Sequence, residues 1–392
     1  TQNSLKLNKA PLIQKLIKKD SKMISVFEPT VTYRDIFRVA VNMRSTYISG
    51  TSPVIKEFEE KFSTMCSRKY GVAVSNGSVA LDLALKSLNL KSDDEVIVPA
   101  HTIISCLSAI IRSGAKPIFC DVDSESWNMN LENVKKALTE KTKAVLMVHT
   151  FGLPSDAKNI EKFCDENNLA LIEDSAEAHG QYVDNQICGS FGIVSTFSFY
   201  ANKHVTTGEG GIVLTDSNEI YDHLLQMRNL DFNNSQRFKT ENLFWNYRMS
   251  GLQASLGLSQ IKSLNKVIQN KIEQGNYYQK LLNEYNDILI TPPKELNGSK
   301  NHYWVFGIVL KNKGIRDNVM NEMHMKGIET RPFFWPLHLQ PSLPKELKRK
   351  NYDLKVSEDI GANGFYIPLG NHINKKIQQK IVSEMVKTIK DH

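Results

Sequence analysis

From residue 70 onward, hydrophobic positions alternate between short continuous runs and helical spacing. The continuous runs are typical of strands buried on both faces, and the spaced positions are typical of amphipathic helices. The strand-like segments are YGVAVS, EVIVP, KPIFCDV, KAVLMVHT, LALIED, VSTFSFY and GIVLTD. The helical segments between them are VALDLALKSL, the stretch from Thr102 to Arg112, LENVKKAL and DAKNIEKFCDENN. This pattern predicts an α/β fold whose sheet is largely parallel and is covered by helices on both faces.

The pattern changes after Arg248, where a long helical stretch over roughly residues 251–285 carries no strand signal. Beyond it, YWVFGIVL predicts a strand, residues 316–326 a helix, RPFFWPLHLQP a proline-rich loop and the last residues a terminal helix. The first 22 residues form a lysine-rich extension with a short apolar face, which predicts an arm ahead of the fold. We therefore expect an N-terminal extension (residues 1–23), a large domain (24–262) and a smaller C-terminal α+β domain (263–392).

Composition and charge exclude several classes of protein. Of the 392 residues, 41% are hydrophobic and 23% charged, which excludes a disordered, collagen-like or coiled-coil chain. The net charge of +7 suits a small anionic substrate, whereas a nucleic-acid binder would cluster its basic residues on one face. Five dispersed cysteines without a C-x-x-C pair predict reduced thiols and no metal site. No apolar stretch is long enough to span a bilayer, so we expect a cytoplasmic protein without a membrane partner.

Three polar segments follow predicted strands at their C-terminal ends, where open α/β sheets bind ligands. The first is Ser75-Asn76-Gly77-Ser78, ahead of a helix that begins near Val79. Gly77 allows a phosphate to approach the backbone, while Ser78 and the amides of the first helical turn supply donors. A plain strand–helix turn capped by Asn or Ser has the same sequence, so this segment alone does not decide the function.

The second segment, LALIEDSAEAHG, ends a buried strand in Glu173-Asp174 and carries Glu177 just beyond. A carboxylate here can hold a protonated ring nitrogen, coordinate a metal or cap the next turn. A metal site would require several more converging ligands, and only His179 is near in sequence. The pattern does not decide between Glu173 and Asp174.

The third segment is FSFYANKHVTTGEGG, in which Lys203 follows a run from Asn185 without acidic or basic side chains. A lysine in a desolvated pocket has a lowered pKa, so its neutral amine can form a Schiff base. A lone lysine after a strand is usually a surface residue. Together with the Ser198 hydroxyl, the phosphate-type turn and the acid at a strand end, however, it supplies the parts of a pyridoxal phosphate site.

Five ordered segments resemble the successive signatures of the DegT/DnrJ/StrS sugar aminotransferases: SNGSVALDLAL, EVIVPAHT, IEDSAEAHG, FSFYANKHVTTGEGG and NYRMSGLQASLGLSQI. The resemblance extends from roughly residue 24 to the end of the chain. It implies the aspartate-aminotransferase-like fold (type I), pyridoxal 5'-phosphate as cofactor, and a homodimer whose active sites are shared between chains. The implied reaction moves an amino group from glutamate to the 4-keto carbon of a nucleotide-linked 4-keto-6-deoxyhexose.

The resemblance also implies roles for residues around the cofactor. Lys203 matches the lysine bound to pyridoxal phosphate, Asp174 the acid facing the pyridine nitrogen, and Glu177 the residue near the ring hydroxyl. Where relatives often stack an aromatic side chain on the ring, this chain has Ile103, and we expect aliphatic packing there. The positions that match the phosphate-binding residues are Gly77, Ser78, Ser198 and, from the partner subunit, Asn246.

Substrate contacts are less specific in the sequence. Arg331, Trp335 and His338 in the proline-rich loop can contact a diphosphate or a base, or can simply pack a rigid loop. Arg248 can bind a carboxylate or phosphate, or form an interface salt bridge. His149 closes a strand and is either near the sugar or a core histidine.

Two alternative functions fit parts of the pattern. Related sugar 3-dehydratases resemble this chain but have a histidine at the lysine position, whereas here Lys203 is in register and His204 comes one place later. A non-catalytic sensor that binds a sugar nucleotide or pyridoxal phosphate would not need Lys203, Asp174 and Ser198 together. The sequence therefore favours an aminotransferase.

Overall fold

The computed structural model describes residues 23–232, 238–296, 298–348 and 352–392, so the N-terminal arm predicted over residues 1–22 lies outside it. The strands of the main sheet are β1 (Tyr70–Val74), β2 (Glu95–Pro99), β3 (Lys116–Cys120), β4 (Thr142–Val148), β5 (Ala170–Asp174), β8 (Val194–Ser198) and β9 (Gly211–Thr215). Their order in the sheet is β1-β9-β8-β5-β4-β2-β3. The pairs from β3 through β8 are parallel, and only the pairs of β9 with β8 and β1 are antiparallel. The predicted mainly parallel sheet is therefore confirmed.

Helices cover both faces of this sheet. The helices described in this part of the chain are α1 (Tyr33–Arg44), α2 (Pro53–Met65), α3 (Gly77–Lys86), α4 (Ile104–Ser113), α5 (Leu131–Ala137), α6 (Ala157–Glu166), α7 (Asn218–Arg228) and α8 (Gly251–Ile261), of which α1 packs on α8. One face packs against α3, α4 and α7 through side chains such as Leu83, Ile110 and Leu224. The other face packs against α2, α5, α6 and α8. Alternate residues of each strand enter the two cores, as expected for strands buried on both sides.

The C-terminal part builds a second, antiparallel sheet from β10 (Leu289–Ile290), β13 (Phe306–Leu310), β14 (Arg331–Pro332) and β15 (Gly364–Ile367). The order in this sheet is β10-β13-β15-β14. The helices of this part are α9 (Leu264–Leu282), α10 (Arg316–Met325), α11 (Lys355–Asn363) and α12 (Lys375–Lys390). Two short hairpins are β6–β7 (Tyr182–Val183, Gln186–Ile187) and β11–β12 (Glu295–Leu296, Ser299–Lys300), and 3-10 turns cover Asn283–Tyr285, Leu337–Leu339 and Lys345–Leu347. The expected α+β character is confirmed.

The long helix α9 contacts both hydrophobic cores. Leu264 and Ile268 in its first turns pack into a core of the main sheet, whereas Tyr278 packs against the small sheet. The segment after residue 22 also lies on the small sheet's side, because Ile24 forms a β-bridge with Ile328. The domain boundary between residues 262 and 263 therefore stays a prediction.

Some helices differ from the sequence pattern. The stretch predicted as one helix over residues 251–285 is two helices, α8 and α9, separated at residues 262–263. Helix α4 begins at Ile104, because Ile103 before it is extended (φ −65°, ψ 141°). Helices α1, α2 and α7 were not predicted. Among the helices of the described ranges, none is long and apolar enough to cross a membrane.

Candidate active site

A cavity of about 500 Å³ lies where strands β1, β2, β4, β5 and β8 end. This volume is in the range of small-molecule sites, and the place is the one that the sheet topology predicts for a ligand. Segments after these five strands supply most of its wall. Three aromatic side chains from the C-terminal part complete it: Trp304, Phe334 and Tyr366.

One end of the cavity is an anion cradle at the start of α3. The Asn76 side chain caps the helix by accepting a hydrogen bond from the Val79 amide (2.9 Å), which leaves earlier amides of the first turn without an intrahelical partner. Gly77 lies against the end of β8, and a Cβ at this position would be 2.7 Å from the Ser198 Cβ. Ser78, also in the wall, shares a hydrogen bond with Ser105 (2.7 Å between the hydroxyl oxygens). The absence of a side chain at residue 77 therefore keeps the cradle open.

The wall beside the cradle carries Asp174, the last residue of β5. One of its carboxylate oxygens accepts a hydrogen bond from the Ala176 amide (3.1 Å), and the other accepts one from the Cys106 thiol (3.5 Å). Burial raises the pKa of Asp174, while the Ala176 amide and the nearby Lys203 oppose that rise. A cationic group placed against this carboxylate would favour its ionised form.

Glu173 points to the opposite face of β5, because successive strand residues alternate. Its carboxylate is fully buried and accepts four hydrogen bonds, from His149 Nε2 (2.8 Å), the Ser175 hydroxyl (2.8 Å), the Gly189 amide (2.6 Å) and the Phe191 amide (2.9 Å). The geometry thus separates the two acids that the sequence pattern left undecided. Asp174 faces the cavity, whereas Glu173 lies on the opposite face of β5 and connects the segments that carry its hydrogen-bond donors.

His149 lines the cavity, but neither of its ring nitrogens is available to a ligand. The Ser155 amide donates to Nδ1 (3.0 Å), so in this neutral tautomer Nε2 carries the proton and donates it to Glu173. The expected place of His149 near the sugar stays a prediction. Both ring nitrogens have protein partners and the side chain is fully buried, which is also what the alternative of a core histidine predicts.

Lys203 lies in the cavity wall, in the loop after β8, and its side chain is only 9% exposed. Its Nζ is 3.4 Å from Glu177 Oε1 and 3.8 Å from the ring centre of Trp304. Burial lowers the pKa of Lys203, and the carboxylates of Glu177 and Asp174 oppose that shift. Burial also raises the pKa of Glu177 to about 7, although Lys203 and a hydrogen bond from the Phe151 amide (3.0 Å) favour its charged form. A lysine held this way is a poor cation and a good nucleophile.

Ile103 also lines the cavity, with 37% of its surface exposed, at the place where the sequence predicted aliphatic cover for a ring. Of the candidate residues described so far, the cavity wall brings together Gly77, Ser78, Ile103, His149, Asp174, Glu177, Ser198 and Lys203. Sequence reasoning missed Trp304, Phe334 and Tyr366, because distant segments carry them. YWVFGIVL was interpreted only as a strand, yet β13 begins at Phe306 and leaves Trp304 ahead of it, facing Lys203.

Five candidate residues lie outside the cavity wall of this chain. Asn246 is exposed and accepts a hydrogen bond from the Arg248 amide (3.3 Å), and the Arg248 guanidinium donates to Asn229. Arg331 pairs with Glu329 (2.8 Å), and His338 pairs with Glu358 (3.0 Å).

Trp335 follows Phe334, a residue of the cavity wall, and is 45% exposed. Within the chain, Arg331, Arg248 and His338 contact protein side chains, and these contacts do not indicate that the three residues bind a ligand. Their expected substrate contacts, together with that of Trp335 and the expected reach of Asn246 into a partner subunit, stay predictions.

The donor set fits pyridoxal phosphate. The start of α3 with its glycine cradle suits a phosphate, Asp174 suits a pyridinium nitrogen, and the Lys203 amine suits an aldehyde. Trp304 and Ile103 supply apolar surface for a flat ring. An anion cradle, an acid and a desolvated lysine at the C-terminal edge of such a sheet define a class of protein, the pyridoxal-phosphate-dependent enzymes.

The chain belongs to the DegT/DnrJ/EryC1/StrS aminotransferase family, whose model matches residues 32–386. It is 36% identical over 347 residues to the GDP-perosamine synthase of Escherichia coli O157:H7, which covers 88% of this chain and 93% of the relative. It is also 36% identical over 348 residues to the GDP-perosamine synthase of Vibrio cholerae, covering 88% of this chain and 94% of that protein. The predictions of a pyridoxal-phosphate-dependent aminotransferase and of its family are confirmed.

Solved structures agree with the fold. The aminotransferase TlmJ from Streptoalloteichus hindustanus superposes with a TM-score of 0.87 at 26% identity, covering 94% of this chain and 99% of that one. DesI, solved in the presence of its TDP-sugar product, superposes with a TM-score of 0.85 at 26% identity, covering 95% of this chain and 94% of that one. The expected aspartate-aminotransferase-like fold is confirmed.

Proposed function

We propose that this protein transfers an amino group from glutamate to the 4-keto carbon of a nucleotide-linked 4-keto-6-deoxyhexose, giving a perosamine- or viosamine-type sugar. The observation that carries the proposal is a desolvated lysine, Lys203, that shares one cavity with Asp174 and an anion cradle. The choice of substrate rests on the similarity to GDP-perosamine synthases over most of the chain.

In the proposed mechanism, bound pyridoxal phosphate supplies an aldehyde that links to an amine and a ring that accepts electrons. Lys203 would hold the group covalently through Nζ. When free, the Nζ amine would take the α-proton of glutamate as general base and later return a proton as general acid. Burial lowers the pKa of Lys203, which favours the neutral amine that the first of these steps requires.

In this proposal, the other wall residues orient the Lys203 amine and stabilise the bound cofactor. Asp174 holds a proton on the ring nitrogen, which keeps the ring an electron acceptor. Glu177 accepts a hydrogen bond from Lys203 Nζ (3.4 Å) and thereby directs the amine. Gly77 and Ser198 bind the phosphate at the start of α3, and Ile103 covers the ring.

The sugar nucleotide enters past the aromatic side of the cavity. Phe334 and Tyr366 belong to the C-terminal part and lie in the wall, and Trp335 is exposed next to Phe334. Trp335 provides a flat face on which a base can stack, and Arg331 provides a guanidinium for a diphosphate. Water is excluded on the inner side by Trp304, which is 5% exposed.

We further propose a homodimer with shared active sites. Helix α1 exposes the apolar side chains of Tyr33 (92% exposed) and Phe37 (70%), and the segment before Asn246 exposes Leu243 (97%) and Trp245 (65%). Exposed apolar side chains of this size mark interaction surfaces. In a two-fold dimer each chain donates what it receives, so Asn246 of one chain would serve the phosphate of the other.

The reaction is tested with purified protein loaded with pyridoxal phosphate. Borohydride should fix a pyridoxyl group onto Lys203 alone, located by peptide mapping. Glutamate with a panel of GDP-, dTDP- and UDP-linked 4-keto-6-deoxyhexoses should then yield a 4-amino sugar identified by NMR. A pyridoxyl group found elsewhere, or loss of the 3-hydroxyl in place of amination, would contradict the proposal.

The shared site is tested by mixing two inactive variants. Lys203→Ala lacks the amine, and Asn246→Asp sets a carboxylate against the phosphate of a neighbouring chain. Refolded together, they should form mixed dimers with one intact site and regain a fraction of the wild-type rate. Each variant refolded alone is the control. If verified mixed dimers are no more active than the controls, the active site is not shared in this way.

A further inference from the structure

A second lysine, Lys271 on α9, lies behind Lys203. Both residues line a small cavity of about 30 Å³ that shares Asn202 and Lys203 with the wall of the cofactor cavity. Lys271 is partly buried, and its Nζ donates a hydrogen bond to the backbone carbonyl of Trp304 (2.8 Å). The mechanism above does not use this amine, although it lies close to the reactive one.

Trp304 connects the two lysines. Its ring lies 3.8 Å from Lys203 Nζ, its indole Nε1 donates to the Asn202 carbonyl (3.1 Å), and its own carbonyl accepts from Lys271. The tryptophan is therefore held at both ends, with its face directed at the Lys203 amine. A shift of Lys271 would release one of these two attachments.

Most of the titratable groups around the small cavity are basic. The groups that face it are Lys203 and His204 from the loop after β8, with His179 nearby, and Glu28 from the N-terminal segment. Burial and repulsion by Lys203 lower the pKa of Lys271 to about 7. Because repulsion between two charges is mutual, a proton on Lys271 equally disfavours a proton on Lys203.

We propose that Lys271 is a positioning residue for the active-site lysine. Its positive charge disfavours a proton on Lys203, and its hydrogen bond holds Trp304 against Lys203. The inference rests on the proposed role of Lys203. It adds a residue outside the wall of the cofactor cavity whose charge affects protonation of the Lys203 amine.

The test is a pH titration of the visible absorbance band of the loaded enzyme, since that band reports protonation of the nitrogen joining Lys203 to the cofactor. Lys271→Met removes both the charge and the hydrogen bond, whereas Lys271→Gln removes the charge and retains a donor for the Trp304 carbonyl. Both should raise the midpoint by about one pH unit. Lys271→Arg keeps a permanent charge, so its midpoint should stay at or below that of wild type.

Lys266→Met, an exposed lysine on the same helix, is the matched control and should titrate like wild type. An unchanged midpoint in Lys271→Gln, or a rise in Lys271→Arg equal to that in Lys271→Met, would overturn the electrostatic role. Borohydride trapping on each variant separates this outcome from failure of the proposed function. If wild type carries no pyridoxyl group on Lys203, the proposed function fails, and if it does while the midpoints coincide, only the inference about Lys271 fails.

Discussion

Gly77→Ala tests the anion cradle with a single added methyl group. Gly77 does not have a positive φ, so alanine introduces no backbone strain there. The added Cβ would be 2.7 Å from the Ser198 Cβ and 3.1 Å from its Oγ. Carbon atoms in ordinary contact are about 3.5–4.0 Å apart, so α3 and the end of β8 would have to separate by about 1 Å. That movement displaces the Ser198 hydroxyl, which we propose binds the phosphate, and the helix amides from each other.

The expected magnitude follows from the cost of overpacking. One extra methyl group in a packed site costs about 1–3 kcal/mol, which corresponds to about a 5- to 150-fold loss of affinity if the strain is relieved at the cradle. Alanine also favours the helix over glycine by up to about 1 kcal/mol. The variant should therefore bind pyridoxal phosphate tens of times more weakly while the free energy of unfolding of the cofactor-free protein changes little.

The assay is titration of cofactor-free protein with pyridoxal phosphate, followed by absorbance, with urea unfolding as the measure of stability. Ser198→Gly and the double variant complete a double-mutant cycle. Without the Ser198 side chain, the Ser198 Cα is 3.3 Å from the new methyl group, so Gly77→Ala should cost much less in that background. Wild-type affinity in Gly77→Ala, or an equal cost in both backgrounds, would refute the steric reasoning.

Two further predictions concern the acids of the cavity. Asp174→Asn should keep most of the cofactor affinity but slow α-proton exchange of glutamate by about a hundredfold, because a neutral amide stabilises the protonated ring less. The exchange is measured by NMR in deuterated water. A near-normal rate would contradict the role of Asp174 and make Glu173 the better candidate for the ring partner. For Glu177, the folded chain retains the proton up to about pH 7 and the unfolded chain releases it near 4.5, so stability should fall as pH rises through this interval. In wild type this fall in the free energy of unfolding should be about 1–3 kcal/mol, measured by urea unfolding of the cofactor-free protein, and Glu177→Gln should lack it. Parallel pH curves for wild type and Glu177→Gln would contradict a raised pKa of Glu177.

The sequence pattern predicted the main sheet well because its strands are buried on both faces and therefore have continuous apolar runs. It failed for α1, where Tyr33 and Phe37 face outward, since a helix whose apolar side chains are exposed has no core-facing pattern to detect. It also predicted one helix over residues 251–285, because residues 262–263, where α8 ends and α9 begins, contain no glycine or proline.

For the site, residues that follow strand ends could be found from the sequence, because parallel strands bring their carboxyl ends to one edge. Whether Glu173 or Asp174 faces the cavity depends on the phase of the pleat, which periodicity alone does not give. Trp304 and Lys271 reach the reactive lysine only through the packing of the C-terminal part. The state of His149 depends on the Ser155 amide, a backbone donor that side-chain patterns do not reveal.

The four hydrogen bonds to Glu173 have a kinetic consequence. One carboxylate connects the loop after β4, the turn after β5 and the segment ahead of β8, through donors that belong to this chain alone. The relative placement of these three segments is therefore set before any cofactor arrives. A site organised in advance can load its cofactor at a rate governed by encounter, so that differences in cofactor affinity among variants of the wall arise mainly in the rate of release.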